Sequence, residues 1–304
     1  MWISFPNEFD RFLSGYRRLA EDDLWSRGNS SNGDEKMNAE AYSEWARNRV
    51  DIVFDLFSGT GSATSYYRKD PRYKVLSVDN ATMNENHVMG SDHHYEMDIF
   101  DFYKSCRAGE IHKRLDQCYG KDGWQVVFIW ASPDCKRFSM AGGSAMGDHW
   151  LHGHPISPEC FTALRNVSSV IKIVELFDPP YWVIENPVGM LRTVPMMGLL
   201  HRRTVTYCQY EDPHKRMKPT DLFGILPPTF KALSCQHGDK CHVPAPRGSK
   251  NGTQGLSYEE KIKIPEKLQS SIKFSCEDLD WYRLRWSSLS DFDSESLQGG
   301  GKHD

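Results

Sequence analysis

Cys135 and Glu185 are the two side chains of this sequence whose types and settings most directly suggest chemistry. Cys135 lies in Ser132-Pro133-Asp134-Cys135-Lys136-Arg137-Phe138-Ser139, directly after the apolar run Val126-Val127-Phe128-Ile129-Trp130. Glu185 opens Glu185-Asn186-Pro187, directly after Tyr181-Trp182-Val183-Ile184. A thiolate is a strong nucleophile, and a carboxyl group near it can hold or deliver a proton. Short apolar runs rich in β-branched and aromatic residues, closed by Pro and polar residues, read as buried strands ending in loops. In an open α/β sheet, ligands bind just beyond the carboxyl ends of the strands, so both groups are expected where chemistry is done. A buried structural thiol is the plain alternative for a lone Cys.

A second constellation precedes them. Ile52-Val53-Phe54-Asp55-Leu56-Phe57-Ser58-Gly59-Thr60-Gly61 reads as a strand followed by a glycine-rich turn, which lets backbone N–H groups approach a ligand at the start of a helix. Val75-Leu76-Ser77-Val78 ends in Asp79 about twenty residues later, and Glu96-Met97-Asp98-Ile99 supplies another acid. An acid at the end of the second strand suits ribose hydroxyls, and the next one suits an adenine amino group. Singly, each acid is more often a helix cap. The three in order point to a nucleoside cofactor.

The elements that must position these residues alternate short apolar runs with amphipathic segments between about 50 and 187, the rhythm of a doubly wound parallel sheet. The expected fold class is therefore α/β and Rossmann-like. The expected organisation is a polar helical extension over 1–48, a catalytic domain over 49–194 and a small module over 195–255. A helical segment over 256–286 packs back on the catalytic domain, and a disordered tail spans 287–304. Residues 192–250 hold ten Lys/Arg against four acids in a chain of net charge −4. Such a stretch is either a solvated basic face or a phosphate-contacting module.

At this point the residues resemble the cytosine carbon-5 DNA methyltransferase family. Asp55-Leu56-Phe57-Ser58-Gly59-Thr60-Gly61 is similar to its S-adenosylmethionine motif, Cys135-Lys136-Arg137-Phe138-Ser139 to its nucleophile loop, and Glu185-Asn186 to its Glu-Asn-Val. Gln209 with Lys215-Arg216 loosely resembles its Gln-x-Arg-x-Arg strand. The order is the family's, over about 52–223, in a form like the compact branch of viruses and phages. The resemblance implies a doubly wound S-adenosylmethionine-dependent methyltransferase sheet with a small basic target-recognition module. It implies cofactor contacts from Asp55, Phe57, Gly59, Gly61, Asp79 and Asp98, catalysis by Cys135 and Glu185, and a double-stranded DNA substrate. Contacts to DNA would come from Arg137, Ser139, Lys215, Arg216, Lys218, Arg247 and Lys250. It also departs from the family. Asp134 replaces the usual Pro before the nucleophile and disfavours the thiolate, a penalty that Lys136 or Arg137 would offset. Pro187 replaces the usual Val.

The implied chemistry needs these groups. Carbon 5 of cytosine is a poor nucleophile until a thiolate adds at carbon 6, and a carboxyl group holding a proton on nitrogen 3 stabilises the adduct. The base must leave the duplex to be reached, and the glycine-rich loop over 139–147 suits closure over it. Asp178-Pro179-Pro180-Tyr181 spells the amine-binding motif of amino-group methyltransferases, but it precedes a strand rather than following one and reads as a helix-stopping linker. A catalytically inactive DNA-binding version of the fold and an RNA substrate are the competing functions.

Cys235, His237, Cys241 and His242 fall within eight residues, a spacing that occurs in zinc sites. Four ligands so close strain one tetrahedron, so a distant ligand such as Cys208 would be needed. On spacing alone, a polar loop with incidental Cys and His is the plainer reading. Eight Cys in 304 residues is no disulfide scaffold, and no apolar run of 18 residues or signal peptide is evident. A monomer in a reducing cytoplasm, bacterial or of a phage-infected host, is expected.

Overall fold

The structure, a computed structural model, describes residues 49–80, 92–139, 147–236, 238–243 and 256–278. The expected extension over 1–48, most of the 139–147 loop, His237, Arg247, Lys250 and the tail lie outside these residues.

Among the described residues one sheet carries the fold. Its strands are β1 (Val50–Leu56), β2 (Tyr73–Asp79), β3 (His93–Glu96), β4 (Trp124–Ala131), β7 (Tyr181–Pro187), β8 (Arg202–Thr206) and β9 (Pro219–Ile225), in the spatial order β3-β2-β1-β4-β7-β9-β8. A small hairpin, β5 (Trp150–Leu151) and β6 (His154–Pro155), stands apart. β1, β2, β3, β4 and β7 are mutually parallel, and β9 runs against both β7 and β8. The order reverses at β1, with β2 on one side and β4 on the other, so the crevice at the switch point opens between the loops after β1 and β4. The sheet is the doubly wound, Rossmann-like α/β kind anticipated above.

The strands form because their sequences suit burial on both faces. Ile52, Val53, Phe54 and Leu56 of β1 and Phe128, Ile129, Trp130 and Ala131 of β4 are all buried, as expected of near-continuous apolar runs in parallel sheets. Helices α1 (Ser65–Arg68), α2 (Ile99–Arg107), α3 (Glu110–Tyr119) and α4 (Pro158–Phe177) connect them. α4 begins with Pro158 at its first position and a Ser157 side chain that accepts from the Cys160 N–H. It ends at Asp178 in the left-handed conformation, φ 41°. The Asp-Pro-Pro-Tyr motif therefore joins α4 to the amino-terminal end of β7, away from the crevice. Phe54 meets Phe177 of α4 edge-on at 4.8 Å, and Tyr67 stacks on Phe128 at 5.5 Å.

Two expectations about 195–255 are corrected. The stretch is not a module apart from a catalytic domain ending at 194, because β8 and β9 are the last two strands of the same sheet. Its cations are also not one basic face. Arg216 is 2% exposed and forms a two-pronged pair with Asp212 (Nε–Oδ2 2.8 Å, Nη2–Oδ1 2.7 Å), while its Nη1 donates to the Glu260 carbonyl at 2.6 Å. Arg192 makes a two-pronged pair with Asp221. Arg203 donates to the carbonyls of Pro227 and Phe230. The local charge excess is real, but the fold consumes much of it. Lys215 is exposed, as are Arg202, Lys231 and Lys240.

A helix over 266–278 lays Leu268, Ile272 and Cys276 into the core beside Tyr67, Val75 and Phe128. Its Lys273 is 3% exposed and pairs with Asp70 (2.8 Å) and Glu277 (2.7 Å). Removing one partner of a buried pair leaves the other charge uncompensated. Arg216→Ala is accordingly expected to lower unfolding free energy in urea by about 3–5 kcal/mol, whereas Lys215→Ala stays within about 0.5 kcal/mol. An Arg216→Ala chain as stable as the parent would return Arg216 to the surface.

Candidate active site

β4 and β7 are adjacent and parallel, with Ala131 opposite Ile184. Cys135 therefore emerges four residues beyond the end of β4, and Glu185 lies one residue beyond the last position at which β7 pairs with β4, at the same end of the sheet. A fully buried Asn186 joins them, its Nδ2 donating to the Pro133 carbonyl at 3.0 Å. Cys135 opens a short 3-10 turn, Cys135–Arg137, capped by the Asp134 side chain, which accepts from the Lys136 N–H at 3.0 Å. After the turn, Ser139 bridges to Gly189 and Met190 N donates to the Phe138 carbonyl at 2.7 Å. A Cβ on Gly189 would sit 2.0 Å from that carbonyl oxygen, so only glycine allows the chain after β7 to lie against the Cys loop.

Glu185 is buried, at 6% exposure, and its Oε1 accepts from the Tyr207 hydroxyl at 3.0 Å. Tyr207 is fully buried, and Lys218 Nζ lies over its ring at 4.7 Å. Burial pushes the Cys135 thiol above its usual range; Lys218 opposes that, while Glu185 and Asp134 add to it. Lys218 is thus the cation set against Asp134. The expected compensators are engaged differently. Arg137 donates from Nη1 to His149 Nε2 at 2.6 Å, and His149 Nδ1 meets Ser157 Oγ at 2.7 Å. Lys136 is exposed. Lys218, expected at a DNA phosphate, is half-buried and lies 3.4 Å from the Lys261 carbonyl. Tyr207 and Gly189 were not anticipated. A lone Tyr carries no motif, although its place just after a strand-like Arg-Arg-Thr-Val-Thr was a signal.

The glycine turn follows β1 at the switch point. Phe57, Gly59 and Gly61 have φ of 59°, 48° and 66°, a run of left-handed residues that turns the chain sharply. Gly59 N donates to Asp79 Oδ2 at 2.9 Å, so the acid ending β2 is tied to the turn. Asp55 is fully buried; its Oδ2 accepts from Thr64 Oγ1 (2.6 Å) and Arg68 Nη2 (2.9 Å), and burial raises its pKa. Its Oδ1 is buried with no hydrogen-bond partner among the described residues, an acceptor suited to a cationic amino group. The sharp turn, the acid beside it and this orphaned acceptor fit an aminoacyl nucleoside such as S-adenosylmethionine. Asp98 does cap a helix: it precedes α2 and its Oδ1 accepts from Phe100 N at 2.8 Å. Any adenine contact would fall to its other oxygen.

One contributor could not be read from the motifs. The C-terminal segment covers the turn: Ile262 Cδ1 lies 3.9 Å from where a Gly59 Cβ would stand, and Ile264 N donates to Ser62 Oγ at 3.1 Å. Of the expected metal ligands, Cys235, Cys241 and His242 come together with Cys208 in place of His237, which lies outside the described residues. All eight cysteines are free thiols, and among the described residues no helix is long and apolar enough to cross a membrane.

No protein-family model matches the chain. It is 22% identical over 226 residues to a protein of Frog virus 3 (isolate Goorha) described as "Probable DNA (cytosine-5)-methyltransferase", across 70% of this chain and 94% of that one. Among solved structures, Spodoptera frugiperda DNMT2 aligns over 64% of this chain and 57% of its own, at 15% identity and a TM-score of 0.38. The S. pombe Dnmt2 methyltransferase aligns over 61% and 51%, at 18% identity and 0.37. The chain spans little more than half the length of these two structures, and TM-scores at that level carry no argument. With the viral relative matched over nearly its whole length and the motifs gathered in order at one crevice of the sheet, the chain is similar to a probable cytosine carbon-5 DNA methyltransferase.

Proposed function

We propose that the chain transfers a methyl group from S-adenosylmethionine to carbon 5 of a cytosine flipped out of double-stranded DNA, through a covalent adduct on Cys135. The observation that carries this reading is the pairing of Cys135 and Glu185 on adjacent strand ends, held by the Asn186–Pro133 hydrogen bond. When bound, the cofactor supplies a methyl group on a sulfonium centre. Asp55, Phe57, Gly59, Gly61 and Asp79 would hold it, and the segment over 262–264 would keep water from the turn.

The Cys135 thiol gives up its proton to solvent water, and the thiolate forms a bond to carbon 6 as the ring's 5,6 double-bond electrons move toward nitrogen 3, which makes carbon 5 electron-rich. Glu185 holds a proton on nitrogen 3 and so neutralises charge that develops there. Tyr207 occupies Oε1 of Glu185, which leaves the second oxygen for the base. After methylation, loss of the carbon-5 proton expels the thiolate and restores the ring. Lys218 assists the first step by favouring the thiolate that burial opposes.

Incubation with a duplex carrying 5-fluorocytosine and the cofactor should yield a covalent protein–DNA complex, because fluorine replaces the proton whose loss frees the enzyme. Cys135→Ser should form none and should transfer no methyl group, since a serine hydroxyl is far less ionised. A methylating Cys135→Ser chain would sink the mechanism. A parent chain that binds cofactor and duplex without trapping would mark an inactive fold, and methylation confined to RNA would move the substrate.

Asp79→Ala should weaken S-adenosylmethionine binding by calorimetry about tenfold or more, the size of a charge-assisted hydrogen bond lost. Unchanged affinity would remove Asp79 from the cofactor site.

The sign of the Lys218 effect is defined. Lys218 lowers a thiol pKa that burial raises. Lys218→Met should therefore lift it further and move the rising limb of the kcat/KM–pH profile toward alkaline pH, whereas Lys218→Arg keeps the limb near its place. A limb unmoved in Lys218→Met would exclude Lys218 from the nucleophile's environment.

A further inference from the structure

We infer that Cys208, Cys235, Cys241 and His242 form a tetrahedral zinc site, which clamps the segment after β8 to the chain that follows β9. The site rests on no part of the methyl-transfer reading. The four ligand atoms all lie within 4.8 Å of one another. Zinc bonds of about 2.3 Å to sulfur and about 2.0–2.1 Å to nitrogen require tetrahedral edges of about 3.8 Å between sulfurs and about 3.6 Å between sulfur and nitrogen. The Cys208–Cys241 sulfurs are 3.8 Å apart, and the sulfurs of Cys235 and Cys241 each stand 3.6 Å from His242 Nδ1. The Cys208–Cys235 separation of 3.3 Å is shorter than an ideal edge yet far beyond a disulfide bond of about 2.05 Å. Three sulfurs and one imidazole nitrogen, each contributing one corner, match the Cys3His set of structural zinc sites, which leave no open position.

The backbone around the ligands is built to converge. Cys208 N donates to the Arg216 carbonyl at 3.0 Å, Cys235 N to Thr206 Oγ1 at 2.8 Å, and Val243 N to the Lys215 carbonyl at 3.0 Å. Between Cys235 and Cys241, Gln236 N donates to Asp239 Oδ2 at 2.8 Å and Asp239 N returns to the Gln236 carbonyl at 3.2 Å, so the intervening chain folds on itself. Cys208 and His242 are buried, and Cys235 and Cys241 are half-buried, so the centre has no open coordination position yet lies near enough to the surface for a thiol reagent to reach it. The strain expected of four ligands crowded into 235–242 is relieved because one corner comes from Cys208, distant in sequence. Cys208 directly follows Tyr207, whose hydroxyl holds Glu185. The metal would therefore anchor the segment that orients the catalytic carboxyl group.

The full chain produced in zinc-supplemented medium and purified under reducing conditions should carry one zinc per chain by plasma mass spectrometry. A mercurial that titrates thiolates should release it. Reconstitution of the parent chain with cobalt(II) should give thiolate-to-cobalt charge-transfer bands and the intense visible bands of a tetrahedral site. Cys208→Ser and Cys235→Ser should each reduce bound zinc at least tenfold, while His237→Ala and Cys118→Ser (Cys118 is exposed and outside the cluster) keep it. Because a cysteine variant can fail by misfolding, the cobalt spectrum of the parent chain stands as the independent measurement. A parent chain that binds neither metal would overturn the site, as would a Cys208–Cys235 disulfide or loss of zinc in His237→Ala, which would return His237 to the ligand set.

Discussion

The loop that carries Cys135 is tied to the end of β7 by one buried side-chain hydrogen bond. Asn186 sits at the end of β7 with no exposure and donates to the carbonyl of Pro133, two residues before the nucleophile. Strand pairing between β4 and β7 stops at Ala131 and Ile184. Beyond that point the loop carrying Cys135 has no ladder to hold it, and its direction depends on this amide and on the backbone of the chain after β7. The Ser139–Gly189 bridge and the Met190–Phe138 hydrogen bond are that second support. The Asn186 Nδ2 is matched while its Oδ1 is buried with no partner among the described residues, so loss of the Pro133 contact would leave both ends of a buried amide unmatched, a costly state.

The electrostatics around that loop are a balance rather than a simple activation. Burial, Glu185 and Asp134 all hold the Cys135 proton on, and Lys218 pulls the other way. Asp134 earns its place locally: its carboxylate caps the turn that presents the thiol, accepting from Lys136 N. A capping acid and a thiol one residue apart make competing demands, and Lys218, just before the start of a remote strand, favours the thiolate that Asp134 opposes. Tyr207 sits at the centre of the arrangement, donating to Glu185 with Lys218 over its ring.

Much of this was legible in the residues, and the illegible parts share a cause. Runs such as Val126-Val127-Phe128-Ile129-Trp130 announce a strand because period and composition are local properties, and the turn at Gly59 and Gly61 announces itself because few residues tolerate positive φ. The charges of 192–250 could be counted but not placed. Whether an Arg meets solvent or a buried Asp is decided by tertiary contacts, and Arg216, which pairs with Asp212 only four residues away, looks identical in sequence to a free surface pair. Strands β8 and β9 were missed as part of the main sheet because their Pro-, Gly- and Lys/Arg-rich surroundings mimic a separate module, while their pairing partner β7 lies outside the stretch. Asp98 shows the opposite case, a residue whose capping role was visible as the plainer reading and is the one its Oδ1 adopts.

The C-terminal chain connects what the motifs leave separate. Ile262 and Ile264 lie on the glycine turn through Gly59 and Ser62. The carbonyls of Glu260, Lys261 and Lys263 receive Arg216, and the Lys261 carbonyl stands near Lys218. Five consecutive residues therefore touch both the glycine turn and the two cations that lie over the Tyr207 ring. Arg216 cannot leave its carbonyl acceptors without exposing a buried charge pair, so the segment is held by the base of the site and in turn holds the turn at its rim.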